Sequence, residues 1–536
     1  IEDVIMGNVA HGAGNPIDVL TGNKYQRDTD LPALPGVLAI EIVRHYNSAQ
    51  AGTGAPLGLL GRGWRLSYET DLHVLGSRLH VVQADGTGLV FDRDPADARR
   101  HLGTDPRRGV LERLPGPQAR HRWHWPDGRT LDFDARGKLV QIALPSGEFL
   151  SLTRGPRGEL MKVTDPQGRS LSFEYAPRDT PGFRGIVAIT SPLGRFRYAH
   201  QNDPARPGLS NLAAVSHPDG GVRHYHYGAD ANETAPAWPH HLTGISLAEA
   251  SGEDRPGAEA PVRRLSTYAY DAAGRAILSV RGTPRQHDES GKASPGTGVE
   301  QVELDFSTPG TTVLTNGLGE RTTYRHTRIG GEPRLLEALG AGCARCGETD
   351  LRYAYDTRGR LIQLTRLDPA GRPRAATGIE RDAAGRVVRE SVRPYVGGQA
   401  LREHTRVRYA YAGDSPRPVL VARPSGVPGQ EHQLHLRYNA AGQLLQATET
   451  GFSPLDAAGE PASGAAQATP IERTTTYAYT RINGRSLLTE IDGPLPNGPA
   501  ASPEDSDVTR LTWDGPGNFI VALERPGGGH VLEHDP

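Results

Sequence analysis

The sequence predicts an all-β protein whose body is one long antiparallel sheet of repeated hairpins. Three observations carry that expectation. A phrase of alternating aromatic and small or polar residues, an Asp-led turn ending in Gly-Arg and a returning apolar run recurs along the chain. Apolar residues at helical spacing are almost absent. Gly (66) and Pro (43) fill about a fifth of the 536 positions and fall between apolar runs, where they punctuate strands.

The phrase is clearest in YAYDAAGRAILSV (Tyr268 to Val280), YAYDTRGRLIQLT (Tyr353 to Thr365) and RYNAAGQLLQATETG (Arg437 to Gly451). Looser copies are LDFDARGKLVQI (Leu131 to Ile142), TYAYTRINGRSLLTEI (Thr476 to Ile491) and LTWDGPGNFIVAL (Leu511 to Leu523). Period-two alternation places Tyr268 and Tyr270 on one face and Ala269 and Asp271 on the other. Asp271 opens a short loop, Gly274 supplies a residue for which positive φ is cheap, and Arg275 begins the return strand. Tyr353, Tyr355, Asp356, Gly359 and Arg360 repeat the same positions. One hairpin cannot bury enough apolar surface to stand alone, so neighbours complete the sheet. Recurrence at multiples of about 20 residues marks an array built from one unit.

Net charge is −2, from 60 basic and 62 acidic residues, and Arg is spread through the turns. No nucleic-acid backbone or anionic surface is expected as partner. No apolar run reaches the length of a membrane span. The chain opens on Ile1 without a visible signal peptide, which fits a fragment or processed product. Two cysteines make no disulfide framework.

Few residues have the spacing of a reactive site. Cys343-Ala344-Arg345-Cys346 admits a plain structural loop, a local disulfide or redox pair, or half of a tetrahedral metal site whose other ligands are not nearby. His224 and His226 share a strand face, His121 and His124 flank Trp123, and His240-His241 follows Pro239; each fits strand or turn packing better than metal binding. Asp271, Asp356 and Asp382 recur at equivalent turn positions, which assigns them a structural Asx role. Gly61-Arg62-Gly63-Trp64 lacks phosphate-loop spacing, and no catalytic triad or dinucleotide fingerprint is present. No catalytic residue, metal ligand or cofactor is expected in this segment. Four stretches, Ala248 to Val262, Arg285 to Thr297, Ser453 to Thr469 and Asp492 to Asp507, are too poor in apolar residues for strands and are expected as loops outside the sheet.

The repeats resemble the YD repeats of the bacterial rearrangement-hotspot (Rhs) family. The amino-terminal phrases strengthen the resemblance: GNPIDVLTGNKYQRDTDLPALPG (Gly14 to Gly36), VRHYNSA (Val43 to Ala49), LLGRGWRLSYETDL (Leu59 to Leu72) and VVQADGTGLVFDRD (Val81 to Asp94). It implies an amino-terminal plug-like domain over residues 1–95 and a repeat segment over 96–536, spiralling into part of a hollow cocoon whose successive turns pair with one another. Trp64 would anchor the plug to the first hairpins. A cysteine pair before a repeat, like Cys343 and Cys346, occurs in some members.

Functionally, the resemblance implies a non-enzymatic shell that sequesters a carboxy-terminal toxin, delivered between competing bacteria, in many members by type VI secretion. Its partners would be the remaining shell and toxin cargo, with an immunity protein acting through the toxin and a secretion spike or chaperone. The protein would be held in the producer's cytoplasm before export. The family's self-cleaving DPxGLxGG segment, an aspartyl protease, is not found. Asp165-Pro166-Gln167-Gly168 matches only its first letters and fits a hairpin turn. The alternatives are a surface adhesion or carbohydrate-binding protein and the cocoon component of an insecticidal toxin complex.

Overall fold

A computed structural model describes residues 12–116, 120–177, 182–201, 209–230, 237–248, 262–284, 298–343, 345–453, 455–456, 458–460, 468–495, 507–525 and 528–532. Among them there is no α-helix, only strands and three single-turn 3₁₀ segments. Two small sheets come first: a ribbon of Gly12–Ala13 with Ile17–Asp18, and a three-stranded sheet of Tyr25–Leu31, Ile42–Asn47 and Trp64–Leu66. One antiparallel strip of 36 strands follows, from Asp71–Leu75 to Gly528–Val531. Strands from 71 to 93 already belong to the strip, so the amino-terminal sequence unit is in space a plug plus the strip's opening hairpins.

The repeat turn explains why each hairpin closes where it does. In Asp271 to Arg275, the Asp271 carboxylate accepts from the backbone N–H of Ala273 (2.9 Å) and Arg275 (2.9 Å) and from the Arg275 guanidinium (2.8 Å). Gly274 sits at φ +77°, where a Cβ would be strained. The same bonds recur at Asp356 with Arg358 and Arg360, and at Asp382 with Arg386. Asp165 makes them with Gln167 and Arg169, so the Asp-Pro-Gln-Gly stretch is a hairpin turn. Asn439 keeps the backbone bond to Gln443 with an amide in place of the carboxylate.

Ahead of many of these turns, though not that of Asp165, the ladder slips by one residue, as at Ala269/Tyr270, Ala354/Tyr355, Glu380/Arg381, Ala410/Tyr411, Arg437/Tyr438 and Ala478/Tyr479. A bulge bends its strand and increases local twist. Bulges recurring near the same hairpin position therefore favour coiling in one sense, and a second pass lies against the first.

The two passes do not pair edge to edge, as the resemblance implied, but meet through hairpin ends. Arg417 Nε donates to the Pro126 carbonyl (2.8 Å), Arg485 Nη2 to that of Pro166 (2.9 Å), and the Ser486 N–H to that of Ser146 (2.7 Å). Arg108 pairs with Glu332 at 3.2 Å. The reason is geometric. Ladder hydrogen bonds run along the strip, so what one pass offers the next is a rim of turns.

Strand direction alternates, so turns alternate between two rims. In the second pass, the rim facing the first carries short connections (330–331, 356–360, 382–386, 412–417, 439–443, 483–484). Long connections root on the other rim (341–350, 397–403, 453–469, 493–508). In the first pass the turns at the seam are likewise short (125–129, 144–148, 165–169). A turn that must meet a facing turn has no room for insertions. Of the four stretches expected as loops, 249–261, 285–297, 461–467 and 496–506 lie outside the described residues. Pairing closes on either side, as in Ala248 with Val262 and Phe452 with Pro470.

Candidate functional site

The plug packs on one face of the strip, and that junction holds the principal core. Ile40, Ile42, Tyr46, Trp64 and Leu66 of the plug are fully buried against Leu150, Leu160, Leu171, Ile189, Leu212 and Tyr227 of the strip. A second cluster joins Ala13, Ile17, Val19 and Leu20 to Val302, Leu304, Leu314 and Tyr324. Trp64 is the hinge of the first cluster: its Nε1 donates to the Tyr227 hydroxyl (2.8 Å), which donates to the Leu212 carbonyl (2.8 Å). The indole meets Tyr225 edge-on at 4.8 Å, and the Arg44 guanidinium lies 4.8 Å over it.

Beside Trp64 runs a buried charge network. Arg44 forks onto Asp30 through Nε (2.6 Å) and Nη2 (2.8 Å) and also donates to the Tyr225 hydroxyl (2.7 Å). Tyr198 donates to Asp30 (2.9 Å), Tyr225 to Asp28, and Arg223 pairs with Asp28 at 3.1 Å. Burial alone would push the Asp28 carboxyl up. Arg44 and Arg223, with the Tyr225 and Gln26 hydrogen bonds, outweigh it and hold Asp28 below the usual carboxylate range. Burial pushes the Tyr198 and Tyr225 phenols well up, so both remain neutral donors. Plug carboxylates thus meet strip phenols and a strip guanidinium, a joint that breaks only with a large uncompensated charge cost.

Histidines at this junction are neutral bases in tight places. Burial, then Arg27 and Arg44, push His45 down to about 3. Burial lowers His200, His240 and His241 to about 4. His200 Nε2 meets the Leu60 carbonyl at 3.0 Å, and His240 Nδ1 meets Asn211 Oδ1 at 2.9 Å. His226 contacts Ser246, and His124 pairs with Glu112. Among the described residues no three His, Cys, Asp or Glu side chains gather as a metal set.

The repeat tyrosines have a role that alternation alone did not reveal. The one at each bulge donates its hydroxyl to a carbonyl on the preceding strand: Tyr270 to Leu242 (2.7 Å), Tyr355 to Leu335 (2.7 Å), Tyr411 to Val387 (2.8 Å) and Tyr479 to Leu444 (3.0 Å). Trp513 Nε1 does the same to Leu488 (2.8 Å). This stitches each hairpin to the one before, where the slipped register weakens the ladder. Tyr268, two residues earlier, is buried beneath the plug, with Lys24 Nζ 4.1 Å over its ring. Tyr353 sits at the border of the second cluster, beside Cys343 and Cys346, which are joined by a disulfide.

Beyond this border nothing among the described residues covers the plug-facing side. Tyr355, Tyr409, Tyr411, Tyr438, Tyr477 and Tyr479 line it, all half-buried. The outer side carries cross-strand ion pairs such as Arg408 with Glu431 (2.6 Å) and Arg510 with Glu490 (3.2 Å). No helix of the described residues is long and apolar enough to cross a membrane.

Residues 14–91 match a family described as a domain of unknown function, DUF6531. Over 78 residues the chain is 42% identical to double-stranded DNA deaminase toxin A of Burkholderia cenocepacia (strain H111), a match covering 14% of this chain and 5% of that protein. Among solved structures, the Photorhabdus luminescens Tc holotoxin pore aligns over 94% of this chain and 27% of its own, at 12% identity and TM-score 0.40. A TcdB2–TccC3 complex aligns over 92% and 28%, at 13% identity and TM-score 0.38. The matched amino-terminal domain, followed by hairpins several of which close on the same Asp-Gly-Arg turn, supports an Rhs-type YD-repeat toxin region. The chain spans a small part of the curated relative's length.

Proposed function

We propose that the chain is part of the shell of a toxin-carrying Rhs protein. In this reading, residues 1–95 supply the plug and the opening hairpins of the wall, Trp64 anchors the plug, and residues 96–536 form the rest of the wall around a guest. The observation that carries the reading is the contrast across the border near Tyr353. On one side the strip's inner face is sealed by its own plug; on the other the same face offers half-buried tyrosines to an occupant that the described residues do not provide. Such a face, part aromatic and part polar, contacts a guest without requiring a matched apolar core.

The toxin name of the 42%-identical relative supports a toxic guest. The guest would be a domain of the same polyprotein, with the rest of the shell completing the enclosure. The segment acts by sequestration and contributes no catalytic group; any self-cleaving protease or toxin chemistry belongs to other parts of the polyprotein. Delivery to competing bacteria, by a type VI spike or another route, with an immunity protein guarding the producer, completes the proposal.

The test is to purify the product of the native gene and compare intact and native masses. A larger polypeptide, or a carboxy-terminal fragment that stays bound until denaturation, is expected. A soluble 57.6 kDa chain with nothing bound would overturn encapsulation and favour adhesion.

A further inference from the structure

The excursion that contains the disulfide lies where the plug ends. It leaves the strip at Gly340 and returns at Leu351, and the two strands it joins share only the pairs Glu337 with Arg352 and Ala338 with Leu351. The preceding hairpin has eight paired positions and the following one five. Cys343 and Cys346 pack on the cluster that seats the plug's first ribbon, beside Ala13, Ile17 and Val19. Gly14 of that ribbon and Cys343 line one cavity of about 280 Å³, together with Val299, Val302 and Leu318. The ribbon fits closely: a Cβ on Gly14 would stand 2.7 Å from Val302 Cγ2.

We propose that the Cys343–Cys346 disulfide is a redox-operated clasp that locks the first ribbon of the plug onto the strip. Oxidised, it fixes the excursion against the ribbon's cluster. The Gly342 N–H donates to buried Thr322 Oγ1 (2.7 Å), and Asn316 Nδ2 donates to the Gly342 carbonyl (3.1 Å). Without the bond, an excursion holding Gly340, Gly342 and Gly347, and returning through Asp350 at φ +58°, is held by polar contacts, the Gly342 bonds, Thr349 to the Gly340 carbonyl (2.7 Å) and the exposed Glu348–Arg366 pair. Few ladder bonds exist here to compensate. Release of the excursion therefore removes one wall of the ribbon's seat.

The chemistry is thiol–disulfide exchange with a dithiol reductant of the thioredoxin class. The cavity gives access to Cys343. The reductant's thiolate attacks Cys343 Sγ, forming a mixed disulfide while the Cys343–Cys346 bond breaks and Cys346 leaves as a thiolate, next in sequence to the cationic Arg345. The reductant's second thiolate then attacks the mixed disulfide, leaving with both sulfurs joined, and the two cysteines take up protons. Two electrons pass from the dithiol to the protein. The clasp holds or fails whether or not the shell has a guest.

Hydrogen exchange of the whole chain, with and without millimolar dithiothreitol and with thiols counted in the folded protein, tests this. Reduction is expected to yield two thiols and to speed exchange about tenfold in both the excursion and residues 12–20, while strands 149–175 are unchanged. The double variant Cys343→Ser, Cys346→Ser should match the reduced protein without reductant. Acceleration confined to the excursion, or a disulfide that no dithiol reaches before global unfolding, would overturn the clasp.

Discussion

The first half of the strip and the second are built from the same hairpin, yet they are stabilised differently. In the strands from Phe149–Arg154 to Ser170–Tyr175 two residues per strand are sealed: Leu150, Leu152, Leu160, Val163, Leu171 and Phe173 are 0–4% exposed. In Leu444–Phe452 no residue is fully buried, and in Val387–Val396 only Ser391 is. The difference lies in what covers the sheet. Where the plug supplies a second layer, burial dominates. Where it does not, phenol-to-carbonyl stitches, Asp-capped turns and Arg–Glu pairs carry the sheet. A YD hairpin is thus a unit that stands with or without a partner layer, the property a container wall needs.

The contrast can be broken most forcefully at the plug. Trp64→Ala should cost about 3–5 kcal/mol, read as a fall in the urea midpoint, because the indole is fully buried and its removal leaves a cavity. Arg44→Met should cost a similar amount, about 3–5 kcal/mol, by leaving Asp30 buried without its guanidinium and Asp28 with Arg223 alone. Tyr411→Ala in the uncovered half should cost clearly less than either. Equal losses would mean that the second half is covered after all.

Acid sharpens the same comparison. His45, His200, His240 and His241 have folded values lowered to about 3 or 4, so below the ordinary histidine value near 6.5 the unfolded chain binds protons that the folded chain refuses. Their cost is absent above that value and grows as pH falls from about 6.5 towards 4. Asp28 acts differently: its value is lowered, so its stabilisation holds until pH drops below the ordinary carboxylate range. Hydrogen exchange at pH 7.5 and 5, corrected for intrinsic rates, should show protection lost at the plug junction by an order of a few kcal/mol. Strands 431–492 should keep theirs.

The smallest effects belong to the repeat itself. Asp382→Ala should cost about 1–2 kcal/mol by removing acceptors from the Arg386 backbone and guanidinium. Tyr355→Phe and Tyr411→Phe should each cost about 1 kcal/mol, the worth of one hydroxyl bond to a neighbouring strand. Thermal melts of single and paired variants check additivity, which is expected because the two stitches share no partner.

What the sequence made legible was whatever lies within one hairpin. The strand, the Asp cap and the glycine turn are interactions between residues a few positions apart, and Asp271, Gly274 and Arg275 occupy the places their spacing predicts. The plug joint was not legible in the same way. Trp64 stood out by its type, but its partner Tyr227 lies 163 residues away and looks like any other repeat tyrosine. Asp28, Asp30 and Arg44 sat inside phrases that marked a resemblance and gave no sign of meeting Tyr198, Tyr225 or Arg223. The tyrosine stitches escaped notice because they depend on the bulge. An ideal ladder read from alternation contains no slip, and only the slip aims the hydroxyl at a carbonyl. The two rims, by contrast, follow from counting strands, and their division into short and long connections was open to a reading that kept the count.

The serial pairing of the strip has a mechanical consequence. Among the described residues, Gly528–Val531 is hydrogen-bonded to one neighbour, Ile520–Arg525, and each strand behind it is held mainly by the next. Tension on this end loads the bonds of one ladder at a time, as in opening a zipper, instead of shearing many together. The wall would come apart as a low, sawtooth series of forces, one tooth per hairpin. The plugged half should resist with a single high peak, because Trp64 and Arg44 tie strands of the plug to strands of the wall far away in the chain.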